Sequence, residues 1–235
     1  MTLSSLIKIP QTNKICSASV IFLHGSGDTG QGFLNWIKFL IGDFASPHVA
    51  FYFPTAPLRP YTPLNGEVRL SNVWFDRYSI TPDVPEHTET LTETGEDIKQ
   101  LINDIVNTGV PLNRIVIGGF SMGGALALHS AFRFSPGLAG VFTLSSFLNK
   151  NSAIFSELKA ESTPLYMCHG ERDTMVPISW GKKTFEELTK LNVKGEFIPL
   201  GYTLHELKKN ELQGLFKWFD KILPPIDADQ VPLSL

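Results

Sequence analysis

Short runs of Val, Ile, Leu and Phe recur along the chain, separated by longer stretches in which apolar residues return every three or four positions. The runs at 18–23, 49–53, 114–117, 140–144, 165–168 and 196–198 read as strands buried on both faces. The stretches at 33–44, 89–106, 122–132, 179–191 and 206–223 read as helices; Phe33, Trp36, Ile37, Leu40 and Ile41 share one face of the first. Strands alternating with helices predict an α/β protein with a mostly parallel sheet covered on both faces. The expected organisation is a single domain over 1–223 followed by a frayed, proline-containing tail at 224–235.

Composition narrows the function classes. A net charge of -3 with 18% charged residues leaves no basic stripe of the kind that neutralises nucleic-acid phosphates, so no nucleic-acid partner is expected. The two cysteines, Cys16 and Cys168, sit in or beside apolar runs and read as buried thiols of a reducing compartment. His169 adjoins Cys168 but lacks further ligands at metal spacing, so no metal is expected. No window approaches the length of a membrane span, and residues 1–10 lack a sustained apolar core, so the expected location is cytoplasmic.

One segment breaks the alternation. Residues 55–85 carry Pro57, Pro60, Pro63, Pro82 and Pro85 among aromatic and leucine residues. An irregular segment this long is usually functional. Because it leaves the carboxyl end of a strand, where α/β sheets bind their ligands, it is expected to wall a site.

The chemistry is concentrated at Gly119-Phe120-Ser121-Met122-Gly123, set between a strand and an apolar helix. A serine at a sharp strand-to-helix turn needs glycine two positions away on either side, because a side chain there would collide with neighbouring backbone. Such a serine requires a base and an orienting carboxylate, following in the order Ser, Asp or Glu, His. That order excludes His24, His48 and His87. His129 lies on the helix after the serine and His169 too close to a strand end, leaving His205 as base. Asp173, in the turn after 165–168, is favoured over Glu171 as its partner. The oxyanion donors are expected to be the backbone N–H groups of Met122 and of Ser26, the latter in the loop His24-Gly25-Ser26-Gly27-Asp28. That loop lacks the Gly-Lys-Ser/Thr ending and the G-x-G-x-x-G pattern of phosphate cradles. Asp28 reads as a turn or capping residue.

Together, Leu23-His24-Gly25-Ser26-Gly27-Asp28-Thr29-Gly30, Trp74-Phe75-Asp76, Gly119-Phe120-Ser121-Met122-Gly123-Gly124 and His169-Gly170-Glu171-Arg172-Asp173 resemble the acyl-protein thioesterase and lysophospholipase family of α/β hydrolases. The resemblance runs from about Ser17 to Leu223. It implies an α/β-hydrolase fold without a separate lid domain and cleavage of acyl thioesters or carboxyl esters through an acyl-enzyme. The implied substrates are S-acylated proteins, lysophospholipids or small esters, and no cofactor is implied. On this chain the roles fall on Ser121, Asp173 and His205, with Ser26 and Met122 at the oxyanion hole and Trp74 and Met175 expected at the acyl pocket. The chain carries Ser26 where the family usually has leucine, Met122 for glutamine and Glu206 for serine.

Other classes fit less well. A gated peptidase would need another domain, and a catalytically silent binding protein would commonly lack one of the three residues present here in order. Leu212, Leu215, Phe216, Phe219 and Leu223 form the stripe of a terminal helix packed on the sheet. Lys208, Lys209, Lys217 and Lys221 lie off that stripe, allowing at most transient contact with a membrane surface.

Overall fold

The fold was analysed in a computed structural model that describes residues 3–63, 70–159 and 162–226. Seven strands form the main sheet: β1 (Ser5–Ile9), β2 (Ala18–Leu23), β3 (Val49–Thr55), β6 (Ile115–Phe120), β7 (Gly140–Leu144), β8 (Leu165–Gly170) and β9 (Gly195–Leu200). Two short strands, β4 (Leu58–Pro60) and β5 (Leu70–Asn72), pair apart from it. The order across the main sheet is β1-β3-β2-β6-β7-β8-β9, parallel throughout except for β1, which runs antiparallel to β3.

The parallel strands are as apolar as two-sided burial demands. Along β2, Ile21 and Leu23 point into one core while Ala18, Val20 and Phe22 point into the other. The first core is closed by helices α2 (Thr88–Asn107), α3 (Met122–His129) and α5 (Ile178–Lys190), through residues such as Ile98, Leu126 and Leu188. The second is closed by α1 (Gly30–Ile41) and α6 (Lys209–Ile222), through Phe33, Ile37, Leu212 and Leu215. Phe22 lies at its centre, stacked on Phe53 with centroids 5.0 Å apart and edge-on to Phe142 at 5.2 Å. The short α4 (Ile154–Glu157) sits in the β7–β8 connection. No helix among the described residues is long and apolar enough to cross a membrane.

The strands and helices expected from periodicity are present, with instructive differences. β1 was not anticipated: as an edge strand it buries little, and Ile7 and Ile9 alone pack against the second core. The last helix begins at Lys209, three residues later than its apolar pattern suggests. The Lys208 N–H is taken by the Glu211 carboxylate at 3.1 Å, which starts the helix there and leaves residues 205–208 as loop. Helix α3 continues into a π-helical turn, Ser130–Phe134. Of the expected tail, Pro224 is fastened, its carbonyl accepting from Arg114 Nη2 at 2.7 Å; residues 227–235 lie outside the described residues.

Glu211 carries a cost with its capping role. It is 2% exposed, and its second oxygen has no partner. Burial pushes its pKa up to about 7, against the opposing pull of the Lys208 N–H. Below the ordinary 4.5 the carboxyl is protonated in both folded and unfolded chains. Between 4.5 and about 7 the unfolded chain has lost this proton and the native one keeps it, so stability falls as pH rises. Above 7 the whole penalty is present, about 3 kcal/mol at about 1.4 kcal/mol per pH unit. Glu211→Gln, which keeps an oxygen for the Lys208 N–H, is expected to remove that decline. Urea titrations at pH 5 and pH 8 should show the variant gaining stability at the higher pH only.

Candidate active site

The site lies at the carboxyl end of the parallel strands. Between β6 and α3 the chain turns within one residue, Ser121, held at φ 52° and ψ -118°. For a residue with a Cβ this is a strained conformation, costing on the order of 1–3 kcal/mol. Two features hold it. The Ser121 N–H donates to the Leu144 carbonyl at the end of β7 (2.9 Å), and the flanking glycines admit the neighbouring backbone. A Cβ on Gly119 would collide with the Leu23 carbonyl oxygen. One on Gly123 would strike that same oxygen and stand 2.6 Å from the His24 oxygen.

Beyond β8, Asp173 is locked in its turn. Its Oδ1 accepts the N–H groups of Met175 (3.0 Å) and Val176 (2.8 Å), and its Oδ2 accepts from His205 Nδ1 at 2.7 Å. The carboxylate has no exposed surface. Burial alone would favour its protonated form, but the bonds from His205 and Val176 outweigh it. The carboxyl is held below its usual range. An ionised Asp173 fixes the proton of His205 on Nδ1, leaving Nε2 as the basic nitrogen. His205 comes from the loop between β9 and α6, its ring 4.7 Å from that of Phe120.

His169 braces this turn. Its Nε2–H donates to the Val176 carbonyl at 2.8 Å and lies 3.7 Å from Asp173 Oδ2. Burial keeps its pKa low, so it remains a neutral strut. Glu171, the rival carboxylate, makes no bond to His205 among the described residues. Its neighbour Arg172 stacks over Tyr202 at 4.5 Å.

Ser26 stands on the loop after β2, and its Oγ–H points to the Met122 sulfur at 3.6 Å, joining the two segments expected to supply oxyanion donors. The 55–85 segment holds that loop in place. Asn72 accepts the Gly27 N–H (2.9 Å), and Trp74 Nε1–H donates to the His24 carbonyl (2.8 Å). The buried His24 ring donates from Nδ1 to the Gly25 carbonyl (2.7 Å) and accepts the Ala56 N–H at Nε2 (3.0 Å). Desolvation lowers its pKa, which keeps this neutral tautomer. Asp28 is a turn residue, its carboxylate taking the Thr29 N–H at 2.8 Å; the cap of α1 is Thr29.

Ser26, Ser121, His205 and Met175 line one cleft of about 450 Å³. Met122 is buried beneath it. Trp74, expected at the acyl pocket, does not line the cleft. It is fully buried with its ring 4.8 Å from His24, because its indole N–H finds its acceptor in the His24 carbonyl at the start of the 24–28 loop. Arg77 does line the cleft and was missed. The sequence signals it only as a charge among aromatic residues.

This arrangement is that of an ester-cleaving α/β hydrolase, and comparison with known proteins agrees. Residues 6–223 match the Phospholipase/Carboxylesterase family, to which the chain belongs. It is 47% identical over 212 residues to mouse (Mus musculus) lysophospholipase-like protein 1, covering 88% of each chain. Identity to acyl-protein thioesterase 1 homolog 1 of Dictyostelium discoideum is 33%, over 88% of this chain and 92% of that one. The crystal structure of Arabidopsis thaliana SOBER1 superposes with a TM-score of 0.78 at 27% identity, over 88% of this chain and 99% of that one. The protein is therefore a hydrolase of the esterase and thioesterase class with the α/β-hydrolase fold.

The elbow can be tested by packing alone. Gly123→Ala must displace two backbone carbonyls and is expected to cost about 3 kcal/mol or more in urea unfolding. In Gly201→Ala the new Cβ meets only the Glu171 carboxylate at 3.8 Å, and stability should barely move.

Proposed function

We propose that the protein is a serine hydrolase that cleaves acyl thioesters and carboxyl esters, with S-acylated proteins, including palmitoylated ones, among its substrates. The observation that carries this reading is the 2.7 Å bond from His205 Nδ1 to the buried Asp173, in a cleft shared with a strained Ser121. In this mechanism His205 Nε2 takes the hydroxyl proton as Ser121 Oγ bonds to the acyl carbon. The developing oxyanion is received by the N–H groups of Ser26 and Met122. Collapse breaks the bond to the thiolate or alkoxide, which leaves with the proton held on Nε2. Water then repeats the sequence on the acyl-enzyme, giving a carboxylic acid and free Ser121.

The cleft volume favours a second reading on the same machinery, a carboxylesterase or lysophospholipase acting on short acyl groups. About 450 Å³ falls in the lower part of the range for small-molecule sites, roughly 300–1,000 Å³.

Ser121→Ala is expected to lower turnover by on the order of 10⁶, and Asp173→Ala by less, about 10⁴. Asp173, held below the usual carboxylate range, stays ionised well into acid and keeps its bond to His205 there. Initial rates on matched thioesters and oxygen esters from acetyl to palmitoyl, with Ser121→Ala as the blank, separate the two readings. Rates sustained to palmitoyl support protein deacylation, and rates collapsing beyond short chains support the small esterase. Equal turnover by Ser121→Ala and the native protein would sink both.

A further inference from the structure

Arg77 is a buried cation in the wall of the candidate active site. It is 7% exposed and lines the same cleft as Ser121 and His205. Its guanidinium is held flanked by two aromatic rings, with centroids 5.0 Å (Phe75) and 4.7 Å (Phe147) from the central carbon. Among the described residues no carboxylate forms an ion pair with it, and its Nε is buried without a hydrogen-bond partner. Glu86, its neighbour across a β-bridge, and Tyr61 favour the guanidinium's charge from a distance but do not pair with it, and the hydrogen bonds of the nearby acids go elsewhere. Asp76 accepts from Thr62 and from the Arg77 backbone N–H, and Glu86 accepts from His129 (3.0 Å) and the Ala153 N–H (3.1 Å).

Burying a charge is expensive unless it is paired and hydrogen-bonded. Ring contacts offset part of that cost but leave the buried Nε–H without an acceptor. A guanidinium stays protonated at neutral pH even where burial opposes its charge, and its planar fork matches the two oxygens of a carboxylate or phosphate. The Tyr61 and Ser26 side chains line the same cleft, adding hydroxyls to the wall.

We propose that Arg77 binds an anionic group of the substrate, so that the preferred substrates are small acyl esters carrying a carboxylate or phosphate near the scissile carbonyl. This narrows the substrate class of the hydrolase reading above and rests on it. Arg77 is a specificity residue here, with the acyl-transfer steps left to Ser121, His205 and Asp173.

The experiment compares kcat/KM within two matched pairs. One sets the 4-nitrophenyl monoester of succinic acid against its methyl ester, placing the anion on the acyl side. The other sets a short-chain 1-acylglycerol 3-phosphate against the corresponding monoacylglycerol, placing it on the leaving alcohol. The native protein is expected to prefer the anionic member of at least one pair by about tenfold or more, the size of one charge-assisted bond. In Arg77→Met, which keeps an apolar contact to the two rings, that ratio should drop toward one, with Arg77→Lys between. No anionic preference in either pair, or a preference that survives Arg77→Met, overturns the proposal.

Thermal unfolding of the native protein supplies a readout independent of turnover and of whether Arg77→Met folds. Monomethyl succinate or glycerol 3-phosphate should raise the melting temperature where dimethyl succinate and glycerol do not. No shift with either anion overturns the proposal. Should neither the anionic nor the neutral esters be cleaved, the hydrolase reading fails while this binding measurement still decides the role of Arg77.

Discussion

Ser121 can occupy φ 52° and ψ -118° only where the backbone of another strand fills the space that side chains at 119 and 123 would take. That backbone is the end of β2, whose Leu23 lies opposite Gly119 in the parallel register of β2 and β6. The strained turn therefore dictates which strands meet at the middle of the sheet. It also puts the start of the 24–28 loop beside the serine, because that loop is the direct continuation of β2. A strain on the order of 1–3 kcal/mol can persist there because both faces of the central strands are packed by helices.

Around this turn the polar groups divide by burial. The His24, His129 and His169 rings are each bonded within the protein, and desolvation lowers the pKa of all three. Each works as a neutral, fixed hydrogen-bonding strut: His24 under the 24–28 loop, His129 against Glu86, His169 under the Asp173 turn. His205 also has a buried partner, but its own side chain is 13% exposed and lines the cleft.

What could be read from the sequence follows from which signals are local. The parallel strands were legible because two-sided burial makes each a continuous apolar run, and the Gly-x-Ser-x-Gly turn because its glycines are fixed by contacts close to the serine. Chain order then selected Asp173 and His205, and the structure brings those two within hydrogen-bond distance. β1 escaped because an edge strand buries only alternate residues, and the β4–β5 pair because three-residue strands have no measurable period. The 55–85 segment was expected at the site, and Tyr61, Ser71, Arg77 and Ile80 do line the cleft, but its side chains were not sorted. Irregular backbone has no repeat from which to tell that Trp74 turns inward to His24 while Arg77 lines the cleft.

That sorting has a consequence for how specificity and catalysis are connected. The same segment braces the 24–28 loop through Asn72 and Trp74 and presents Arg77 a few residues later. The Arg77 guanidinium is in turn positioned by Phe147, from the connection after β7, whose Leu144 carbonyl holds the Ser121 N–H. Cation, serine and the 24–28 loop are thus referred to one set of neighbouring strand ends. A substrate that anchors an anion on Arg77 fixes its ester relative to Ser121 through packed structure, so its binding energy can be used to orient the scissile carbonyl. The aromatic flanks matter for that reason: a guanidinium restrained between two rings loses little further freedom when it binds, whereas a cation on a mobile side chain would hold the anion without placing the ester.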